Sequence, residues 1–129
     1  FRSFGKETKP EIFIRKFLFA NGFRYRKNVR DLPGKPDIVL PKYKTTIFIH
    51  GCFWHGHDCK RGGLPESNFE FWKEKIGNNI ERDKRNIVDL KQLGWNVIVI
   101  WQCEIRNIRL REGRLEKLIS ELHYIIPKT

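Results

Sequence analysis

Ten consecutive residues, His50-Gly51-Cys52-Phe53-Trp54-His55-Gly56-His57-Asp58-Cys59, hold three of the chain's four histidines and two of its three cysteines. Thiolate and imidazole are the ligands zinc prefers. A run so dense in both is poorly explained as ordinary core. The third cysteine, Cys103, follows the apolar stretch 95–101 with one residue between. Four tetrahedral ligands can be drawn from Cys52, Cys59, Cys103 and either His57 or His55, a closed set of the structural kind. His57 lies two residues from Cys59 and can share its loop geometry. At least one imidazole is then left beside the metal as a candidate for chemistry. The competing account is three buried thiols with surface histidines.

A second candidate is Asp37, which follows the Gly/Pro turn 32–36 and opens an apolar strand. If that strand pairs antiparallel with the next, Asp37 comes near Ile49 and His50. Aspartate is a hard oxygen ligand suited to Mg²⁺, which keeps several waters and needs few protein groups. One carboxylate with a backbone carbonyl would suffice. Two further acids stand out. Glu11 ends Thr8-Lys9-Pro10-Glu11, which has the form of a helix capping box, so it serves either the helix start or the site. Asp83 falls between Ile80 and Ile87 on an apolar helix face, a costly place for a carboxylate unless a cation faces it.

The elements that must position these groups can be read from periodicity. Phe13, Ile14, Phe17 and Leu18 give a helix over 9–21, stopped by Gly22. Alternation over 23–29 predicts a strand with one wet face. Residues 38–40 and 45–49 predict a hairpin through 41–44, its second arm apolar enough to be central. A long helix over 69–93 presents Trp72, Ile76, Ile80, Ile87 and Leu90, and Gly94 ends it. Residues 95–101 predict a buried strand, and 111–122 a last helix on Leu115, Leu118, Ile119 and Leu122. The order α-β-β-β-α-β-α implies an α/β fold, one mixed sheet with helices packed on it.

Composition narrows the partners. With 26 Lys and Arg against 15 acids the net charge is +11, the signature of a domain that meets a polyanion, most often nucleic acid. Phe53, Trp54, Phe71 and Trp72 lie among basic and polar residues, where aromatic faces can stack on bases or wedge between them. No apolar run approaches the roughly 18 residues of a membrane span, and no signal peptide is visible. Three cysteines cannot all pair internally, and metal binding suits a reducing cytoplasm. At 129 residues one domain, 1–129, is expected. It starts at Phe1 without methionine, as a fragment lacking its N-terminal segment would.

Taken together, Leu32-Pro-Gly-Lys-Pro-Asp37, Phe48-Ile-His-Gly-Cys-Phe-Trp-His-Gly-His-Asp-Cys59, Phe71-Trp-Lys-Glu-Lys-Ile-Gly-Asn-Asn79, Glu81-Arg-Asp83 and Leu93-Gly-Trp-Asn-Val-Ile-Val-Ile-Trp-Gln-Cys103 resemble the very short patch repair endonucleases. The resemblance runs in one order from Thr8 to Cys103. It implies a restriction-endonuclease-like fold and an enzyme that nicks one DNA strand beside the thymine of a T·G mismatch, the product of 5-methylcytosine deamination. By matching position it implies Asp37 as the Mg²⁺-binding carboxylate, with the backbone carbonyl of Ile49, and His55 as general base toward the attacking water. It implies His50 at the scissile phosphate and Glu11 and Asp83 as supporting acids. Cys52, His57, Cys59 and Cys103 would be the structural zinc ligands, and Phe53, Trp54 and Trp72 the wedging aromatics. The usual nuclease pattern continues with an acid and a lysine; those places hold Phe48 and His50, a habit of this repair family. Ile49 stands where the best-known members carry threonine.

The resemblance further implies a bacterial cytoplasmic monomer acting on double-stranded DNA, with mismatch-repair proteins as conceivable partners. Two rivals are kept. A non-catalytic, zinc-stabilised nucleic-acid-binding module explains charge, aromatics and zinc but not Asp37, His55 and Asp83 together. A restriction nuclease of the same fold would cut matched duplexes.

Overall fold

The computed structural model describes residues 9–27, 29–52, 54–56 and 64–125. Helix α1 (Lys9–Ala20) leads to a short strand β1 (Arg26–Lys27), then to β2 (Ile38–Leu40) and β3 (Thr45–His50). Helix α2 (Phe69–Gln92) precedes β4 (Asn96–Trp101), and α3 (Gln102–Arg106) and α4 (Ile108–Tyr124) follow. Among the described residues the sheet is four-stranded, in the order β1-β2-β3-β4. The first two pairings are antiparallel, and β3 and β4 run parallel, with His50 level with Trp101. The sheet is therefore mixed, as the element order implies.

Glycine ends α1 and α2 where the sequence says it should. Gly22 takes φ +87°, and the Phe23 and Gly22 amides donate to Leu18 O and Phe19 O. Gly94 takes φ +92°, and Trp95 and Gly94 donate to Leu90 O and Lys91 O. Each is a Schellman closure, in which a residue without a Cβ enters the left-handed region at no steric cost.

Side-chain alternation divides the sheet. Ile38, Leu40, Ile47, Ile98 and Ile100 form one core with Ile14 and Leu18 of α1, Ile105 of α3, and Leu115, Leu118 and Leu122 of α4. Period two sends Phe48 and His50 to the other face, where α2 lies.

Four expectations change. The 23–29 strand shrinks to Arg26–Lys27, because Phe23 is used in the helix closure and packs its ring 5.2 Å from Tyr43. Among the described residues the 95–101 strand is an edge strand, and only Ile98 and Ile100 in it are buried. Its apolar run arises because both faces are partly covered while, among the described residues, only β3 pairs with it. On α2, Trp72, Ile80 and Ile87 are half-buried and Asn79 is buried instead, since loops rather than sheet cover that part. The last helix starts earlier, at Ile108, where the Asn107 side chain accepts from Arg109 N; α3, one short turn, was not foreseen.

Candidate active site

A cavity of about 480 Å³ opens between the end of β3 and α2. Its walls include Lys35, Asp37, His50, His55, Arg82, Asp83 and Asn86. Strand register accounts for the first wall. Ile38 pairs with Ile47, so Asp37 continues that ladder to the level of Phe48. From there its Oδ2 accepts the Ile49 amide proton at 2.7 Å. That bond fixes the carboxylate. Burial holds its pKa above the ordinary carboxylate value, against the opposing pull of the Ile49 amide and of the charges of His55 and Arg15. A half-desolvated carboxylate of this kind gains from a cation beside it.

His55 is brought in by a turn that starts where β3 ends. Its amide donates to Gly51 O. Gly56 then presses on α2 with φ +65°, and a Cβ there would lie 2.6 Å from Ile80 Cδ1. Asn79 Nδ2 donates to Trp54 O at 2.9 Å. These two contacts pin the turn on α2, so that His55 Nδ1 meets Asp83 Oδ2 at 2.6 Å. The anomalous acid of the apolar face thus has an imidazole facing it. A carboxylate on Nδ1 fixes the proton there and leaves Nε2 as an acceptor.

His50 lies against that pair. Its ring stacks on His55 at 3.8 Å with planes 5° apart, and Trp101 approaches it edge-on at 5.2 Å. Burial, reinforced by the His55 charge, pushes its pKa down to about 4, although Asp83 acts in the other direction. His50, His55 and Asp83 place one ligand atom each within 4.8 Å of one another. Parallel rings, however, aim their in-plane lone pairs side by side and not at one point. The set is better suited to handling protons than to holding an ion.

The remaining residues divide. Glu11 does not line the cavity; its Oε2 accepts Arg15 Nη1 at 3.2 Å, both side chains being buried. Arg15 in turn lies close enough to lower the Asp37 pKa, so Glu11 reaches Asp37 through a guanidinium. Thr8, its partner in the capping box, lies outside the described residues. Cys52 is buried and Cys103 half-buried, each two residues past the rung formed by His50 and Trp101. His57, Cys59 and Phe53 lie outside the described residues. Trp54 and Trp72 pack edge-on at 5.7 Å, and the exposed Phe71 lies 5.1 Å from Trp72.

Sequence reasoning missed Arg15, Arg82, Asn79 and Asn86. A signal existed for three of them. Asn79, Arg82 and Asn86 share with Asp83 one polar stripe at spacings of three, four and seven, interrupting an apolar face.

A mixed sheet with helices on it, carrying a fixed carboxylate beside a histidine–aspartate pair, fits the restriction-endonuclease-like fold. The family model for DNA mismatch endonuclease Vsr matches residues 2–61. A type II nicking enzyme of Neisseria meningitidis, V.NmeAIP, is 56% identical over 117 residues, 91% of this chain and 84% of its own length. A second, V.XorIIP of Xanthomonas oryzae, is 45% identical over 115 residues, 89% of this chain and 85% of its own length. The DNA mismatch endonuclease Vsr of Escherichia coli is 40% identical over 116 residues, 90% of this chain and 72% of its own length. The chain belongs to the Vsr DNA mismatch endonuclease family, and it is an endonuclease that acts on DNA.

Proposed function

We propose that this endonuclease nicks one strand of duplex DNA beside the thymine of a T·G mismatch, with Mg²⁺ at Asp37 and zinc in a structural site. The observation that carries the reading is the convergence of Asp37, His55 and Asp83 on one cavity. Its relatives, a mismatch endonuclease and nicking enzymes, support the substrate and the single-strand cut.

In this reading His55 Nε2 takes the proton of the attacking water while Asp83 stabilises the imidazolium that results. His50 packs His55 into position and lies next to the phosphate. Asp37 suits Mg²⁺ in chemistry: it is a hard ligand, half-buried, with one oxygen committed to Ile49 N–H and the other left for a cation. The Ile49 carbonyl is the proposed backbone ligand, and Glu11 supports the set through Arg15. Bound there, Mg²⁺ would supply Lewis-acid polarisation of the phosphate.

Zinc is supported by Cys52 and Cys103 lying at the same end of parallel strands; His57 and Cys59 would complete the set. Held there, zinc would tie the His55 turn to the end of β4. Cys103→Ser should release zinc in a colorimetric chelator assay and lower the thermal midpoint. Full zinc retention by this variant would remove Cys103 from the set. Trp54 and Trp72, with Phe53, are the proposed wedge, since a wobble pair resists unstacking less than a matched one.

The deciding experiment incubates the protein with Mg²⁺ and two labelled duplexes that differ only in one T·G pair. A single nick beside the mismatched thymine, absent from the matched duplex and abolished in His55→Ala, is expected. Cutting of both duplexes would instead favour a restriction-type role.

A further inference from the structure

The polar stripe on α2 contains one charged group with no assigned task. Arg82 lines the cavity beside Asp83 and is exposed. Its Nη2 donates to Asn79 Oδ1 at 3.0 Å. Asn79 is buried and also donates to Trp54 O, so its amide is held at both ends. The guanidinium is therefore tethered at one corner. Arginine has five donors in a rigid fork that matches phosphate oxygens, and the corners not used by Asn79 stay available to a ligand in the cavity.

The charge balance of the cavity gives that fork a purpose. Two carboxylates, Asp37 and Asp83, line it, and a phosphodiester must enter against them. His50, at the position where the usual nuclease pattern has lysine, is buried with one ring face on His55 and an edge toward Trp101. Held by those two rings, it can adjoin the phosphate but cannot swing a donor across its non-bridging oxygens as a lysine would. Lys35 and Arg82 are the cationic side chains of the described cavity wall, and Arg82 is anchored through Asn79 on the element that carries Asp83.

We propose that Arg82 is a further catalytic residue, donating to the non-bridging oxygens of the scissile phosphate, and that Asn79 ties this contact to the turn bearing Trp54 and His55. The proposal rests on the cavity being the hydrolytic site. No bond forms to Arg82; it stabilises charge that grows on those oxygens as water adds, and a pre-oriented donor does so without reorganising.

The test is single-turnover nicking of the T·G duplex with Mg²⁺, with affinity measured in parallel by fluorescence anisotropy. Arg82→Ala should lower the rate constant at saturating enzyme by about 100-fold or more, the usual loss for one oriented donor, with affinity changed less than about threefold, as one phosphate contact among many. Sulfur in place of one non-bridging oxygen should slow the wild type but add little in Arg82→Ala. Arg82→Lys, which keeps the charge but loses the fork, should remain at least about tenfold slow and carries the test if the alanine variant fails to fold. A wild-type rate at saturation in either variant, or an equal sulfur effect in wild type and Arg82→Ala, would overturn the proposal. His55→Ala separates the two failures: inactive beside an active Arg82→Ala, it overturns Arg82 alone, whereas an active His55→Ala overturns the assignment of the cavity.

Discussion

Two imidazoles stacked 3.8 Å apart cannot both be charged cheaply, and the linkage to stability can be signed. The folded-state pKa of His50 is lowered from 6.5 to about 4. Its neutral form thus contributes stability that is present above pH 6.5 and lost as pH falls through that window. Compared with His50→Gln, wild type should lose on the order of 2 kcal/mol more between pH 7.5 and 4.5 in urea unfolding. Equal losses in the two proteins, or a larger loss in His50→Gln, would sink this account of the stack. Asp37 illustrates the opposite residue-scale bargain. Its carboxylate is kept in a desolvated place where ionisation is disfavoured, so Asp37→Asn should abolish Mg²⁺-supported nicking yet leave the thermal midpoint equal or raised, because an amide oxygen can still accept from Ile49. A midpoint several degrees lower would show that the charge serves the fold.

At the scale of elements, the proposed function makes α2 the rod that joins base contact to chemistry. Trp72 and Asp83 lie eleven residues apart on it, about 16 Å at 1.5 Å per residue. The Trp54–Gly56 turn is fastened between them by Asn79 and by the close approach of Gly56 to Ile76 and Ile80. Gly56→Ala should cost about 1–2 kcal/mol, from a crowded Cβ and a left-handed φ, and should slow nicking through His55 while leaving DNA affinity near wild type. Unchanged stability and rate would mean that the turn is not held where α2 needs it. The elements themselves were legible because periodicity, Gly22, Gly94 and the Pro41–Tyr43 turn all act locally. So was the approach of Asp37 to Ile49, which follows from hairpin register. Arg15 was not legible: a buried guanidinium between Glu11 and Asp37 depends on how α1 docks on the sheet, which no local pattern encodes. The depth of β4 was misread for a similar reason, since an apolar run reveals burial of faces but not whether both edges are paired.

For the molecule as a whole, the proposed function gives a net charge of +11 and the edge-on pair Trp54–Trp72 two separable contributions to DNA binding. Charge neutralisation releases counterions and is indifferent to sequence, so affinity for a matched duplex should fall by at least about tenfold between 50 and 200 mM salt, as for proteins with several phosphate contacts. In the proposed function, preference for a mismatch would come instead from the easier unstacking of a wobble pair against Trp54 and Trp72, and stacking on aromatic faces does not release ions. The ratio of saturating nicking rates on T·G and matched duplexes should therefore stay nearly constant over the same salt range. Trp54→Ala should do the reverse, shrinking that ratio while leaving the salt slope of affinity unchanged. If salt alone collapses the ratio, discrimination is being made by phosphate contacts on a distorted backbone, and the role assigned to the aromatic pair passes to the basic surface.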